Sequence, residues 1–112
     1  IQLKKDNKIN CAKLAAKIAN CVVVLKGFNT IIASPKGEVC INTNSTPELA
    51  TIGSGDVLSG IISSLVGDKK MKPFDAACAG VWIHSEAANS FGRGLIAEDI
   101  IKKLPQALNK IY

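Results

Sequence analysis

Four consecutive residues, Gly53-Ser54-Gly55-Asp56, stand directly before a helical apolar stripe and carry the densest chemistry of the sequence. The glycines on either side of Ser54 permit strained backbone and let a ligand approach the main chain closely. The first amides of a helix lack intrahelical acceptors and point along the axis, so that end attracts anions. A carboxylate in this place can act in two ways. As an N-cap, Asp56 would satisfy those amides itself. Aimed instead at a substrate, it would leave them free for a phosphate and stand beside it as a base. Spacing alone leaves both readings open. The turn is not G-x-G-x-x-G after a strand, nor G-x-x-x-x-G-K followed by Ser or Thr, so it matches neither common phosphate loop.

Lys26-Gly27-Phe28-Asn29-Thr30 follows the apolar run Cys21-Val22-Val23-Val24-Leu25. The C-terminal ends of strands in open parallel sheets are where ligands bind; a solvated strand-end lysine is the plain alternative. His84 is the sole histidine, on a mainly apolar helical stretch with no paired acid, and reads as a structural hydrogen-bonding residue rather than a base. Cys11, Cys21, Cys40 and Cys78 show no metal-ligand spacing. Each lies in an apolar run, which predicts small buried hydrophobes in a reducing cytoplasm. The net charge of +5 is spread along the chain, which predicts a solvated surface and no nucleic-acid partner. No basic stretch leads into a short apolar one, and no apolar run approaches the ~20 residues of a membrane span, so neither a secretory signal nor a membrane partner is expected.

These residues need elements to hold them. Asn10 to Asn20 has apolar residues at Cys11, Leu14, Ala15, Ile18 and Ala19, a helical period. The run at residues 21–25 lacks alternation, which predicts a strand buried on both faces, as in a parallel sheet. Helix then buried strand is half of a βαβ unit. Thr30–Ser34 and Glu38–Asn42 read as two further strands joined by the turn Pro35-Lys36-Gly37, a hairpin. From Asp56, Val57, Leu58, Ile61, Ile62 and Leu65 form one helical stripe. A helix from Pro73 to about Ser90 follows, with proline in its favoured first position. Ala97–Leu104 and Pro105–Ile111 are expected as two short helices split by the proline. At 112 residues and 47% hydrophobic, the chain predicts one α/β domain with a modest core. It begins at Ile1 without Met, and its single parallel-type strand lacks neighbours, so most of its sheet is expected to lie in other sequence.

Asn44-Ser45-Thr46-Pro47-Glu48-Leu49-Ala50-Thr51-Ile52-Gly53-Ser54-Gly55-Asp56-Val57-Leu58-Ser59-Gly60, continuing through Ile61-Ile62, resembles the signature of the NAD(P)H-hydrate dehydratase family of the ribokinase-like superfamily. Val23–Gly27, Thr30–Ala33, Asp75–His84, Leu95–Ile100 and Leu104-Pro105 are similar to further family segments, so the resemblance covers essentially the whole chain. It implies the C-terminal portion of a ribokinase-like α/β/α sandwich, with the N-terminal half of the domain elsewhere. It further implies ADP or ATP as co-substrate, Mg²⁺, and hydrated NADH or NADPH (NADHX, NADPHX) as substrate. In that reading Asp56 takes the hydroxyl proton. Gly53, Ser54 and Gly55 offer amides to the phosphoryl group. Lys26, Gly27, Phe28, Asn29, Thr30, Asn44 and Thr46 contact or orient the nucleotide. A homo-oligomer or a complementing N-terminal half is the expected partner. Another ribokinase-like kinase, for a hydroxymethylpyrimidine or a sugar, and a non-catalytic nucleotide-binding fragment are the alternatives.

Overall fold

The computed structural model describes residues 2–110, and side chains from Asn7 onward. Eight elements follow in order: α1 (Gln2–Ala19), β1 (Val23–Leu25), β2 (Thr30–Ala33), β3 (Val39–Asn42), a 3₁₀ turn (Pro47–Leu49), α2 (Ser54–Gly67), α3 (Pro73–Phe91) and α4 (Ala97–Asn109).

The sheet has the order β1-β2-β3, and both pairings are antiparallel. Leu25, Ile31 and Ile41 lie side by side, as do Val24, Ile32 and Cys40. Successive residues of a strand face opposite sides. The first set therefore shares one face, where Ala12 and Ala16 of α1 pack on Ile31 and Ala33. The second set faces Leu58 of α2 with Ala77 and Val81 of α3. Helices thus cover both faces of β2, and all four of its residues are buried. Among the described residues β1 pairs only with β2, antiparallel, and the parallel neighbours expected for residues 21–25 lie outside them. The unbroken apolar run fits helices on both sides, with Val23 and Leu25 facing α1 and Val22 and Val24 facing α2 and α3. β1 itself is shorter than expected and only half-buried. Its second edge has no strand partner among the described residues.

A second core joins α2, α3 and α4 through Leu65, Ile83, Ala87, Leu95, Ile100 and Ala107. Gly80 lets α2 and α3 approach closely: a Cβ there would lie 2.6 Å from Ile62 Cγ1. Two helix boundaries differ from expectation. α1 starts near Gln2, because Gln, Leu and Lys are good helix formers and nothing at Asn10 breaks the helix. It ends as a Schellman turn, with Asn20 at φ 54° and the Cys21 amide donating to the Ala16 carbonyl at 3.2 Å. α4 runs unbroken through Pro105. Proline forfeits one bond to the carbonyl four residues back, at Ile101, which is exposed, while Ile100 and Ala107 stay buried against α3. Packing on both sides of the proline outweighs its local cost.

All four cysteines are free thiols. Cys11 and Cys21 are exposed and Cys40 and Cys78 half-buried, so the expectation of four buried hydrophobes is corrected. Cys11 lies on the solvent side of α1, and Cys21 in the loop after it. Among the described residues, no helix is long and apolar enough to cross a membrane.

Candidate functional site

α2 begins two residues earlier than the apolar stripe suggests. Gly53 is its N-cap, at φ 85° and ψ −6°, in the left-handed region that glycine adopts without strain. Asp56 is therefore the third helical residue and not the cap, and no side chain caps the helix. Of the two roles open from sequence, capping is excluded. The Ser54 amide donates to the Thr51 carbonyl at 3.2 Å, and the Val57 amide to Gly53 at 3.2 Å. The amides of Gly55 and Asp56 have no backbone acceptor among the described residues. Asp56 is exposed.

Lys26 reaches this helix end from the β1–β2 loop. A Cβ on Gly55 would lie 2.6 Å from Lys26 Nζ. Gly55 carries no positive φ, so glycine here supplies room rather than conformation. An ammonium at the positive end of a helix is electrostatically unfavourable. Among the described residues Lys26 has no carboxylate partner to offset this. Two positive features face one space, and an anion between them would relieve both.

That space opens into a cavity of about 470 Å³, within the range of small-molecule sites. Lys26, Gly27 and Phe28 line it from the β1–β2 loop and Thr30 from the start of β2. Ser45, Thr46, Pro47, Leu49 and Ala50 line it from the β3–α2 connection. Ser54 and Leu58 of α2 and Val81, His84 and Ser85 of α3 complete it. The loop is closed by Thr30, whose Oγ1 accepts from the Gly27 amide at 3.3 Å and donates to the Gly27 carbonyl at 3.2 Å. Thr46 Oγ1 accepts from the Glu48 amide at 3.3 Å and so caps the 3₁₀ turn.

Gly53, Gly55, Asp56, Asn29 and Asn44 are not part of the lining. The first three form the adjoining turn. Asn44 is turned away toward α3. Its Nδ2 donates to Glu86 Oε2 at 2.9 Å and to the Trp82 carbonyl at 3.4 Å, and its own carbonyl accepts from Asn89 Nδ2 at 2.8 Å. Lys110 holds the other oxygen of Glu86 at 2.9 Å. The Lys110 and Asn44 hydrogen bonds keep the Glu86 carboxyl below its ordinary pKa. This clamp fixes the start of the β3–α2 connection. Glu86 and Asn89 escaped the sequence reading, because their partner lies more than forty positions away. Their three-residue spacing on one helix face was the one available signal.

His84 is 4% exposed, and its Nε2 lies 2.9 Å from the Ser54 carbonyl and 3.3 Å from Ser54 Oγ. A carbonyl only accepts, so Nε2 carries the proton. Burial pushes the imidazole below its ordinary value of 6.5; the Ser54 carbonyl opposes this, and Lys26 adds to it. The histidine is a neutral strut under the turn, as its sequence context suggested. A base whose folded pKa lies below its unfolded one stabilises least at low pH, because the unfolded chain binds the extra proton. Stability should therefore be complete above about pH 6.5 and fall as the pH drops below it. Thermal melts from pH 7.5 to 5 should show this fall, and His84→Gln, which keeps a donor but does not titrate, should flatten it.

The sequence profile described as NAD(P)H-hydrate dehydratase matches residues 1–110. An ADP-dependent (S)-NAD(P)H-hydrate dehydratase of Neisseria meningitidis is 40% identical over 116 residues, covering 98% of this chain and 38% of that protein. A bifunctional NAD(P)H-hydrate repair enzyme of Escherichia coli is 38% identical, over 94% of this chain and 21% of that protein. A crystal structure of the Bacillus subtilis ADP/ATP-dependent NAD(P)H-hydrate dehydratase, co-crystallised with ATP and Mg²⁺ and soaked with CoA, superposes with a TM-score of 0.88 at 27% identity. That match covers 96% of this chain and 42% of the other. The expected α/β/α fold of the ribokinase-like type is thus borne out, and the chain spans about two fifths or less of the proteins it matches.

Proposed function

We propose, because this chain belongs to the NAD(P)H-hydrate dehydratase family, that it is the C-terminal part of a single catalytic domain that dehydrates hydrated NADH or NADPH at the expense of ADP or ATP. Lys26 supports this most: an ammonium without a carboxylate partner among the described residues, held over Gly55 at the positive end of α2. That arrangement suits the terminal phosphates of a nucleotide.

Hydroxide is a poor leaving group, and phosphorylation converts it into a good one. Asp56 takes the proton of the ring hydroxyl as its oxygen attacks the terminal phosphoryl group. The nucleotide departs with one phosphate fewer. The ring nitrogen's electron pair then expels the new ester group as inorganic phosphate. A proton leaves the neighbouring ring carbon and the double bond of NADH or NADPH is restored. The turn at Gly53, Ser54 and Gly55, its open amides and Lys26 stabilise charge on the transferring group. Gly27, Phe28, Thr30 and Thr46 line the nucleotide cavity, Asn29 shapes its loop, and Asn44 holds the connection in place.

Among the described residues no group of three or more His, Cys, Asp or Glu is placed to hold a metal. Asp56 is the one carboxylate of the turn. Mg²⁺ often binds through a single carboxylate with substrate phosphates and water; in this reading it comes with the nucleotide and neutralises phosphate charge.

The remainder of the domain supplies the rest of the substrate pocket and pairs with the free edge of β1. Four free thiols suit a cytoplasmic setting. The test is to combine this chain with a complementing N-terminal segment, hydrated NADH, Mg²⁺ and ADP or ATP. Recovery of the NADH absorbance in step with phosphate release supports the reading. Phosphorylation of a sugar or pyrimidine instead would replace it.

A further inference from the structure

We infer that Lys8 is a second cation of the nucleotide site, contacting the polyphosphate from the α1 side; the inference rests on the nucleotide reading above. Lys8, Ala12 and Ala16 recur every fourth residue and share one face of α1. Ala12 and Ala16 are buried against Ile31 and Ala33, so this face is fixed on the sheet. Lys8 continues it one turn further, over the β1–β2 loop. There its ammonium lies against Gly27: a Cβ on Gly27 would overlap Lys8 Nζ.

Gly27 has no positive φ, so its backbone does not require glycine. It makes room for an ammonium, as Gly55 does for Lys26. Lys8 is half-buried and has neither a carboxylate nor a hydrogen-bond acceptor among the described residues. A flexible lysine left without a partner ordinarily extends into water. Here it folds down onto a glycine that lines the cavity. Lys8 thus meets Gly27 from the α1 side of the sheet, while Lys26 meets the N-terminus of α2 from the other side of the loop. A di- or triphosphate carries enough charge to engage both, and adenosine carries none.

Titration calorimetry of the complemented enzyme with ADP and with adenosine tests this. Lys8→Gln should raise the Kd for ADP roughly five- to tenfold, the loss of one charge-assisted contact, and leave adenosine unchanged. Lys8→Arg should bind ADP within about twofold of the parent, because the charge is kept. Gly27→Ala should weaken ADP binding in the parent but add little on top of Lys8→Gln, as two changes to one contact do. Unchanged ADP affinity in Lys8→Gln, or an equal loss for adenosine, would overturn the inference while the nucleotide reading stands. Absence of ADP binding by the parent chain combined with its complementing N-terminal segment would overturn both.

Discussion

Asp56→Asn in the complemented enzyme should lower the dehydration rate by roughly 10²–10⁴-fold, the usual contribution of a positioned general base, and leave the nucleotide Kd nearly unchanged. The substitution preserves shape and removes the charge and the proton-accepting oxygen. Because Asp56 is exposed and does not cap α2, little of the fold depends on it. Its remaining structural effect is the interaction of a first-turn carboxylate with the helix dipole, worth about 0.3–1 kcal/mol. A capping residue would behave differently, losing about 1 kcal/mol or more of stability while chemistry continued. Steady-state rates and a urea melt on the same sample separate the two. An active Asp56→Asn enzyme sinks the base assignment.

Gly55→Ala should weaken ADP binding by roughly tenfold or more, as expected when a charge-assisted phosphate contact is displaced, and should not destabilise the chain. The two effects have opposite signs for one physical reason. Alanine is the better helix former by about 1 kcal/mol, and Gly55 sits in the first turn of α2 without a positive φ. The added methyl, however, falls 2.6 Å from Lys26 Nζ and must push the ammonium off the helix end. A melting temperature at or above the parent's, with a raised Kd for ADP, is the expected pair. If ADP binds Gly55→Ala as tightly as the parent, Lys26 does not act from this position.

The site's local geometry was legible in the sequence. Gly53 to Asp56 announced a helix N-terminus with an acid beside it, and the structure shifts only the boundary, making Gly53 the cap and Asp56 the third residue. Lys26 and Gly27 were visible as a strand end. The lysine–glycine contacts were not: Lys26 meets Gly55 and Lys8 meets Gly27 only once helices and sheet are packed. Asn44 shows the converse. Its place in a motif suggested a ligand contact, whereas Glu86 and Trp82 bind its amide from α3. The hairpin at residues 30–42 followed from its turn residues and formed in register, with Thr30 opposite Asn42. The errors came where packing overrides local preference: Pro105 within α4, and the exposed Cys11 and Cys21.

The central claim is that the ring hydroxyl leaves as phosphate, activated at the Gly53–Asp56 turn. Hydrated NADH labelled with ¹⁸O in that hydroxyl, turned over by the complemented enzyme with ADP or ATP, tests it directly by mass spectrometry. One ¹⁸O in each inorganic phosphate released and none in water is expected, with both products lost together in Asp56→Asn. Label recovered in water, with unlabelled phosphate, would contradict it.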